Sequence, residues 1–164
     1  MKKIATLALV LGLLGITGAA HAMRIAYVDV KKAFDAYNGT QTAKDKLKHQ
    51  VEEEKGKLEK DQDVLKKELS DLQAKKSVMT EGKYKEQEEK IVVKIRALQE
   101  RIQTTTNDLQ QQEARLTAQI VDLIKEATSK VANKEKYDFV FESSNILFGG
   151  DEITSTVIKE LNAK

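Results

Sequence analysis

Residues 51–79 read VEEEKGKLEKDQDVLKKELSDLQAKKSVM, and in them Val51, Leu58, Leu65, Leu72 and Met79 recur at an unbroken spacing of seven. Residues 95–123, IRALQERIQTTTNDLQQQEARLTAQIVDL, repeat the pattern with Ile95, Ile102, Leu109, Leu116 and Leu123. A sustained period of seven keeps one narrow apolar seam turned toward a partner helix while the pair slowly supercoils, which is the coiled-coil signature. The seam is thin. Glu54, Asp61 and Glu68 stand four residues before Leu58, Leu65 and Leu72, where a tight two-stranded coil places apolar side chains.

Between the two rows, residues 75–85 read KKSVMTEGKYK; the seam lapses there, and Ser77, Thr80 and Gly82 offer capping and chain-reversal chemistry. Two seams of similar length flanking a glycine predict a helical hairpin over residues 40–134 with its tip near 75–85, in preference to one continuous helix. Each arm, of about forty residues, would reach about 60 Å at the α-helical rise. Gly56, inside the first seam, marks a candidate bend.

The β-prone material lies at the two ends. MRIAYVDV, residues 23–30, suits a short strand, and Ala33, Phe34 and Tyr37 then form the face of a short helix. Asn38-Gly39 reads as the break after it, with Thr40 available to cap the long helix beyond; Asn38-Gly39-Thr40 also fits a glycosylation sequon. Past Lys134, Tyr137–Phe141 alternates as a strand, Asn145–Phe148 reads as a further strand, and Gly149-Gly150 as a turn. Asp151–Asn162 closes the chain as a helix with Ile153, Val157, Ile158 and Leu161 on one stripe and Asp151 or Thr154 as its cap. Antiparallel arms bring these ends together, so residues 23–39 and 135–164 are expected to form one small β body.

Seven of the eight aromatic residues lie in the terminal segments and only Tyr84 lies in the arm, so the dense core belongs to the body. Three short strands and two short helices bury little surface alone, and open sheet edges attract further strands. The body is therefore expected to complete itself by oligomerising. The residues leave two-, three- and four-chain packings open.

Composition narrows the chemistry. The 164 residues include no proline and no cysteine, and 33% are charged, which favours long helices over a disulfide-stapled fold. Lys2 and Lys3 precede an apolar run from Ile4 to about Gly18, followed by Ala20-His21-Ala22, the pattern of a secretory signal over residues 1–22 cleaved after Ala22. The run falls at or below the roughly 17–25 residues of a membrane span, which disfavours an uncleaved anchor. Cleavage removes Lys2 and Lys3, so the 28 basic residues become 26 against 26 acidic ones, and the surplus that nucleic-acid binding requires is gone.

Catalysis finds few instruments. His49 is the sole imidazole after cleavage, and Glu52-Glu53-Glu54 and Glu88-Glu89 sit among lysines at ion-pair spacings such as Glu53 with Lys57 and Glu86 with Lys90. Neither Gly56-Lys57 nor Gly82-Lys83 has the upstream glycine of a phosphate-binding loop. The reading is a non-enzyme with no metal and no cofactor.

The order of these elements resembles the Skp/OmpH family of periplasmic chaperones over essentially the entire mature chain. IAYVDVKKAFDAY is similar to the family's opening strand and helix, the heptad hairpin to its tentacle, YDFVF with the glycine turn to its returning strand, and DEITSTVIKELN to its closing helix. The resemblance implies a mainly α fold in which a coiled-coil tentacle projects from a small sheet, the sheet completing a β-barrel on trimerisation. It also implies a periplasmic, ATP-independent holdase whose arms surround unfolded outer-membrane proteins. The balanced charge departs from the family's best-known member, which is strongly basic, and weakens any claim to bind lipopolysaccharide or acidic lipid over the whole surface.

Multivalent holding would use aliphatic side chains that the seam does not consume, and Val64, Leu69, Val93, Leu98 and Ile120 are the candidates. A basic tip of Lys75, Lys76, Lys83 and Lys85 faces only Glu81 among nearby acids and is a candidate for client or membrane contact. The competing reading is a structural or adaptor coiled coil of the cell envelope that binds one folded partner; periodicity alone does not separate the two.

Overall fold

The computed structural model describes residues 22–163, so the expected signal segment, apart from Ala22, lies outside the described residues. The elements run β1 (Ile25–Val28), α1 (Val30–Ala36), α2 (Asn38–Ala74), α3 (Glu81–Glu135), β2 (Phe139–Glu142), a 3-10 turn (Ser143–Asn145), β3 (Asp151–Glu152) and α4 (Thr154–Asn162). The fold is mainly helical, with two long helices and a three-stranded sheet of order β2-β1-β3.

The sheet is parallel throughout, Ile25 pairing with Phe139 and Ala26 with Asp151. β1 and β2 lie more than one hundred residues apart in the chain, and the helical hairpin is the connection that returns one to the other. α3, with 55 residues, outruns the 37 of α2, and its surplus at the carboxyl end builds the body. Ile120, Ile124, Ala127 and Val131 form its buried stripe, closed by Ala26, Val28, Ala33, Ile153, Val157 and Leu161. Here the seven-residue seam broadens into the wider apolar face of a globular helix.

Local chemistry sets the breaks. Asp29 caps α1 by accepting from the Lys32 amide at 2.8 Å, while its own amide donates to Thr154 Oγ1 at 2.9 Å. Thr154 thus serves the other end of the body, and α4 begins after Ile153 with no side-chain cap, contrary to the expectation for Asp151 or Thr154. The α1–α2 break falls at Tyr37, which is extended, so Asn38-Gly39 opens α2 instead of interrupting it. Thr40 is buried at 2% exposure with Oγ1 unbonded, and so caps nothing. The Asn162 side chain accepts from the Asn38 amide at 2.9 Å and donates to the Ala36 carbonyl at 3.2 Å, fastening the arm's root to the last turn of α4.

At the tip, Thr80 is the extended residue that starts α3, and Gly82 lies within the first turn. At the far end of α3, Lys136 takes a left-handed conformation (φ 60°) and the Tyr137 amide bonds the Ala132 carbonyl at 2.9 Å, a helix-ending turn. That turn consumes Tyr137 and Asp138, so the returning strand begins at Phe139, two residues later than the alternation predicts. Asn145–Phe148 forms no strand in the single chain; Asp151–Glu152 takes the third place in the sheet. Gly149 and Gly150 both have positive φ, and a Cβ at Gly150 would stand 3.3 Å from the Ile25 carbonyl oxygen.

The Arg24 guanidinium lies 4.4 Å from the Tyr137 ring centre, and the phenol donates to Asp151 at 3.0 Å. Partial burial first, and then this bond, raise the Tyr137 phenol above its ordinary value. The fold therefore favours the neutral phenol, and its contribution is complete below the unfolded value and is lost as pH rises through the raised one. Tyr137→Phe should lower Tm at neutral pH, with the gap to the parent closing across the alkaline range; a gap independent of pH would refute the assignment.

Two glycines in α2 separate by what surrounds them. A Cβ at Gly39 would fall 2.3 Å from the Tyr37 ring, whereas nothing lies within 4 Å of one at Gly56. Gly39→Ala should displace a ring that packs on the core and cost about 1–3 kcal/mol, while Gly56→Ala should stabilise by about 1 kcal/mol. Thermal unfolding followed by circular dichroism reads both signs.

Candidate functional site

The arm is held by little apolar surface. Of the heptad positions, Leu72 is buried; Leu58, Leu65, Met79, Ile95, Ile102, Leu109, Leu116 and Leu123 are half-buried. Val51 is 41% exposed and does not close the seam, and every residue of α2 from Lys48 to Glu53 is exposed around it. α3 also supplies a second row, Ile91, Leu98, Thr105 and Gln112, each four before a heptad residue; Ile91 is buried and the others half-buried. That row is apolar near the tip and polar toward the middle, so the hairpin is tightest near its tip.

Two of the three acidic companions on α2, Asp61 and Glu68, are answered across the hairpin, and Glu54 pairs with Lys57 on its own helix. Lys94 Nζ contacts both Glu68 carboxylate oxygens at 2.6 and 2.7 Å, and Arg101 bonds Asp61. A hydrogen bond from Lys57 holds the Glu54 carboxyl below its ordinary range, and the Arg101 charge acts in the same direction. Such exposed pairs contribute about 0–1 kcal/mol each. They favour the observed antiparallel register, since a slip of either helix separates both pairs.

Two grooves flank the Glu68–Lys94 bridge. One, of about 340 Å³, is floored by Val64, Leu65, Ala97 and Leu98. The other, of about 830 Å³ and nearer the tip, lies over Leu72, Met79, Ile91 and Val93. Glu68 and Lys94 line both, so the two form one strip along the arm. Of the aliphatic candidates, Val64 and Leu98 share the first groove and Val93 enters the second; Val64 is 56% exposed and Val93 64%. Leu69 is exposed on α2 without lining either groove.

Ile120 is a correction: it is 7% exposed, in the body core, and presents nothing to a partner. Its spacing from Ile124, Ala127 and Val131 is the four-three-four pattern of a globular helix face, and that is the signal that places it inside. Val78 at the tip and Val92 on α3 are exposed aliphatics outside the seam, as Val64 and Val93 are, and are missing from the sequence candidates although the same criterion admits them.

At the tip, Lys76 Nζ stands 5.4 Å from the Tyr84 ring centre and Lys85 pairs with Glu81 at 3.0 Å. Lys75 lines the larger groove and Lys83 is exposed. His49 is an exposed residue beside Glu52. Among the described residues no three His, Cys, Asp or Glu side chains converge on a metal position, and no helix is long and apolar enough to cross a membrane.

The sequence that builds this arm and sheet is matched over residues 24–161 by the family model described as Outer membrane protein (OmpH-like). The chain belongs to the OmpH-like family. Similar curated proteins are the Chaperone protein Skp of Photorhabdus luminescens, 24% identical over 146 residues and 88% of each chain, and that of Vibrio cholerae serotype O1, 25% identical over 169 residues and 98% of each. The fold also matches a crystal structure from Caulobacter crescentus CB15, described as an outer membrane chaperone (OmpH-like), with a TM-score of 0.80. That match has 16% identity and covers 87% of this chain and 85% of the other.

The bridge across this OmpH-like arm is open to test by charge exchange. Glu68→Lys or Lys94→Glu alone should destabilise by up to about 1 kcal/mol, and the double exchange should restore most of the loss, because the pair is then re-formed in reverse. Thermal unfolding of the four proteins measures the coupling, and zero coupling would leave the bridge without a role in register.

Proposed function

We propose that this chain is an ATP-independent holdase of the periplasm, which keeps unfolded outer-membrane proteins from aggregating while they lie between the arms of a homotrimer. The observation that carries the reading is the strip along the arm, where exposed Val64 and Val93 flank a salt bridge over a floor of Leu65, Leu98, Leu72 and Ile91. Family membership and the chaperone relatives support it.

The chemistry suits loose holding. Unfolded outer-membrane proteins expose β-prone apolar segments, which aggregate through edges and faces. Shallow grooves with mixed rims cover such segments without demanding a sequence, and affinity comes from many weak contacts presented together. Exposed Val78 and the lysines around Tyr84 offer the tip as a further contact for client or anionic membrane. Trimerisation would cover the open sheet edge of the body and set three arms around one space.

The test is aggregation of a urea-unfolded outer-membrane protein on dilution, followed by light scattering with no nucleotide present. Suppression of several unrelated clients is expected; none at trimer excess would end the holdase reading and favour an adaptor that binds one folded partner. Val64→Ser with Val93→Ser should weaken capture severalfold and each alone by less, because the affinity is shared among many partly buried contacts.

A further inference from the structure

We propose that Met79 is an oxidation-sensitive fastening of the arm: oxygen transfer to its sulfur by a peroxide releases the tip turn from the hairpin and makes the floor of the larger groove polar. The consequence for a client rests on the holdase reading above; the release of the tip does not.

Composition directs an oxidant to this side chain. The sequence holds no cysteine and no tryptophan, so methionine is its most readily oxidised residue. Of the three methionines, Met1 belongs to the expected signal, and Met23, 63% exposed, stands before β1. Met79 is the one on the arm.

Its position decides what oxidation does. From Gln73 to Lys90, a stretch that contains the whole turn between α2 and α3, Met79 and Tyr84 alone are not exposed. The amides of Val78 and Met79 both bond the Lys75 carbonyl at 3.1 Å, so the backbone of the turn closes on itself. What ties that turn to the rest of the arm is therefore the Met79 side chain, which ends the heptad row of α2, together with Tyr84 beneath Lys76. Met79 lies in the groove of about 830 Å³ with Leu72, Ile91 and Val93, and being half-buried it meets solvent there. A molecule as small as hydrogen peroxide enters such a groove freely.

In the step itself a lone pair on Sδ attacks one peroxide oxygen, and the S–O bond forms as the O–O bond breaks. The other oxygen takes the proton and leaves as water. The thioether gives up the electron pair that the peroxide gains, and a flexible apolar side chain becomes a polar sulfoxide. Leu72, Ile91 and Val93 offer that oxygen no donor, whereas water and the ammonium of Lys75 lie toward the rim. The sulfoxide is drawn outward, the seam loses its last residue, and the turn comes free.

The test is peroxide treatment of the folded mature protein carrying Met23→Leu, which leaves Met79 as its methionine. Peptide mass mapping should find one added oxygen, at Met79, and hydrogen exchange should show the amides of residues 75–91 opening faster than before treatment. Methionine sulfoxide reductases for the two epimers should reverse both changes. Met79→Leu, of nearly equal volume, should exchange alike before and after peroxide, and Met79→Gln should exchange fast without it. The treated protein should also hold an unfolded outer-membrane protein severalfold more weakly, with capture restored by the reductases. No oxygen at Met79 under conditions that oxidise Met23 of the parent, or a sulfoxide whose tip amides exchange as before, overturns the inference. Capture unchanged by a fully formed sulfoxide overturns it too and leaves the holdase reading intact. A faster tip in a protein that captures nothing even untreated supports the fastening and ends the holdase reading.

Discussion

The antiparallel docking of α2 on α3 is the constraint on which the molecule depends. Without it β1 and β2 are separated by a connection of more than one hundred residues, and closing a loop of that length has an entropic cost that a four-residue strand pair does not repay. With the hairpin formed, the connection is rigid and its ends meet by geometry. The body then assembles on the surplus turns of α3, whose Ile120, Ile124, Ala127 and Val131 supply its floor. Arm and body are therefore one cooperative object, although their surfaces look independent.

The root of the arm shows how that coupling is made. Asn162, the last residue of α4, grips the final carbonyl of α1 and the first amide of α2, and the Tyr37 ring fills the space over Gly39. Asp29 and Thr154 perform a similar exchange between the start of α1 and that of α4. The bonds from the Asn162 side chain and from the Asp29 amide to Thr154 join residues 124 to 126 positions apart through single side chains.

The arm is legible in the sequence because a seven-residue period is imposed by helix geometry alone and needs no knowledge of the partner. The body is legible only in outline. Its break at Tyr37 instead of Asn38-Gly39 goes with the packing of the Tyr37 side chain on the body core, and its third strand at Asp151–Glu152 with pairing to Ala26 and Tyr27. Ile120 reads as spare surface when the heptad is carried past Leu116, and as core once the stripe to Val131 is considered. Val64, Val93 and Leu98 are legible as non-seam aliphatics, but that they border one strip is a consequence of the cross-arm register, which the Glu68–Lys94 and Asp61–Arg101 pairs express. Local pattern finds helices; long-range pairing finds sites.

The acidic companions of the first seam, which look like a defect in a coiled coil, would on the proposed holdase reading be what leaves the arm able to hold a client. A helix pair sealed by apolar residues at both seam rows would be more stable and would leave fewer aliphatics to meet anything else. Here Asp61 and Glu68 hold the register through charges that remain solvated, and each bridge contributes too little to lock the hairpin rigidly. The apolar residues so released, Val64 and Val93 among them, stay at the surface where burial against a partner still gains free energy. A tight seam and a sticky surface compete for the same small aliphatic content, and this sequence resolves the competition toward the surface.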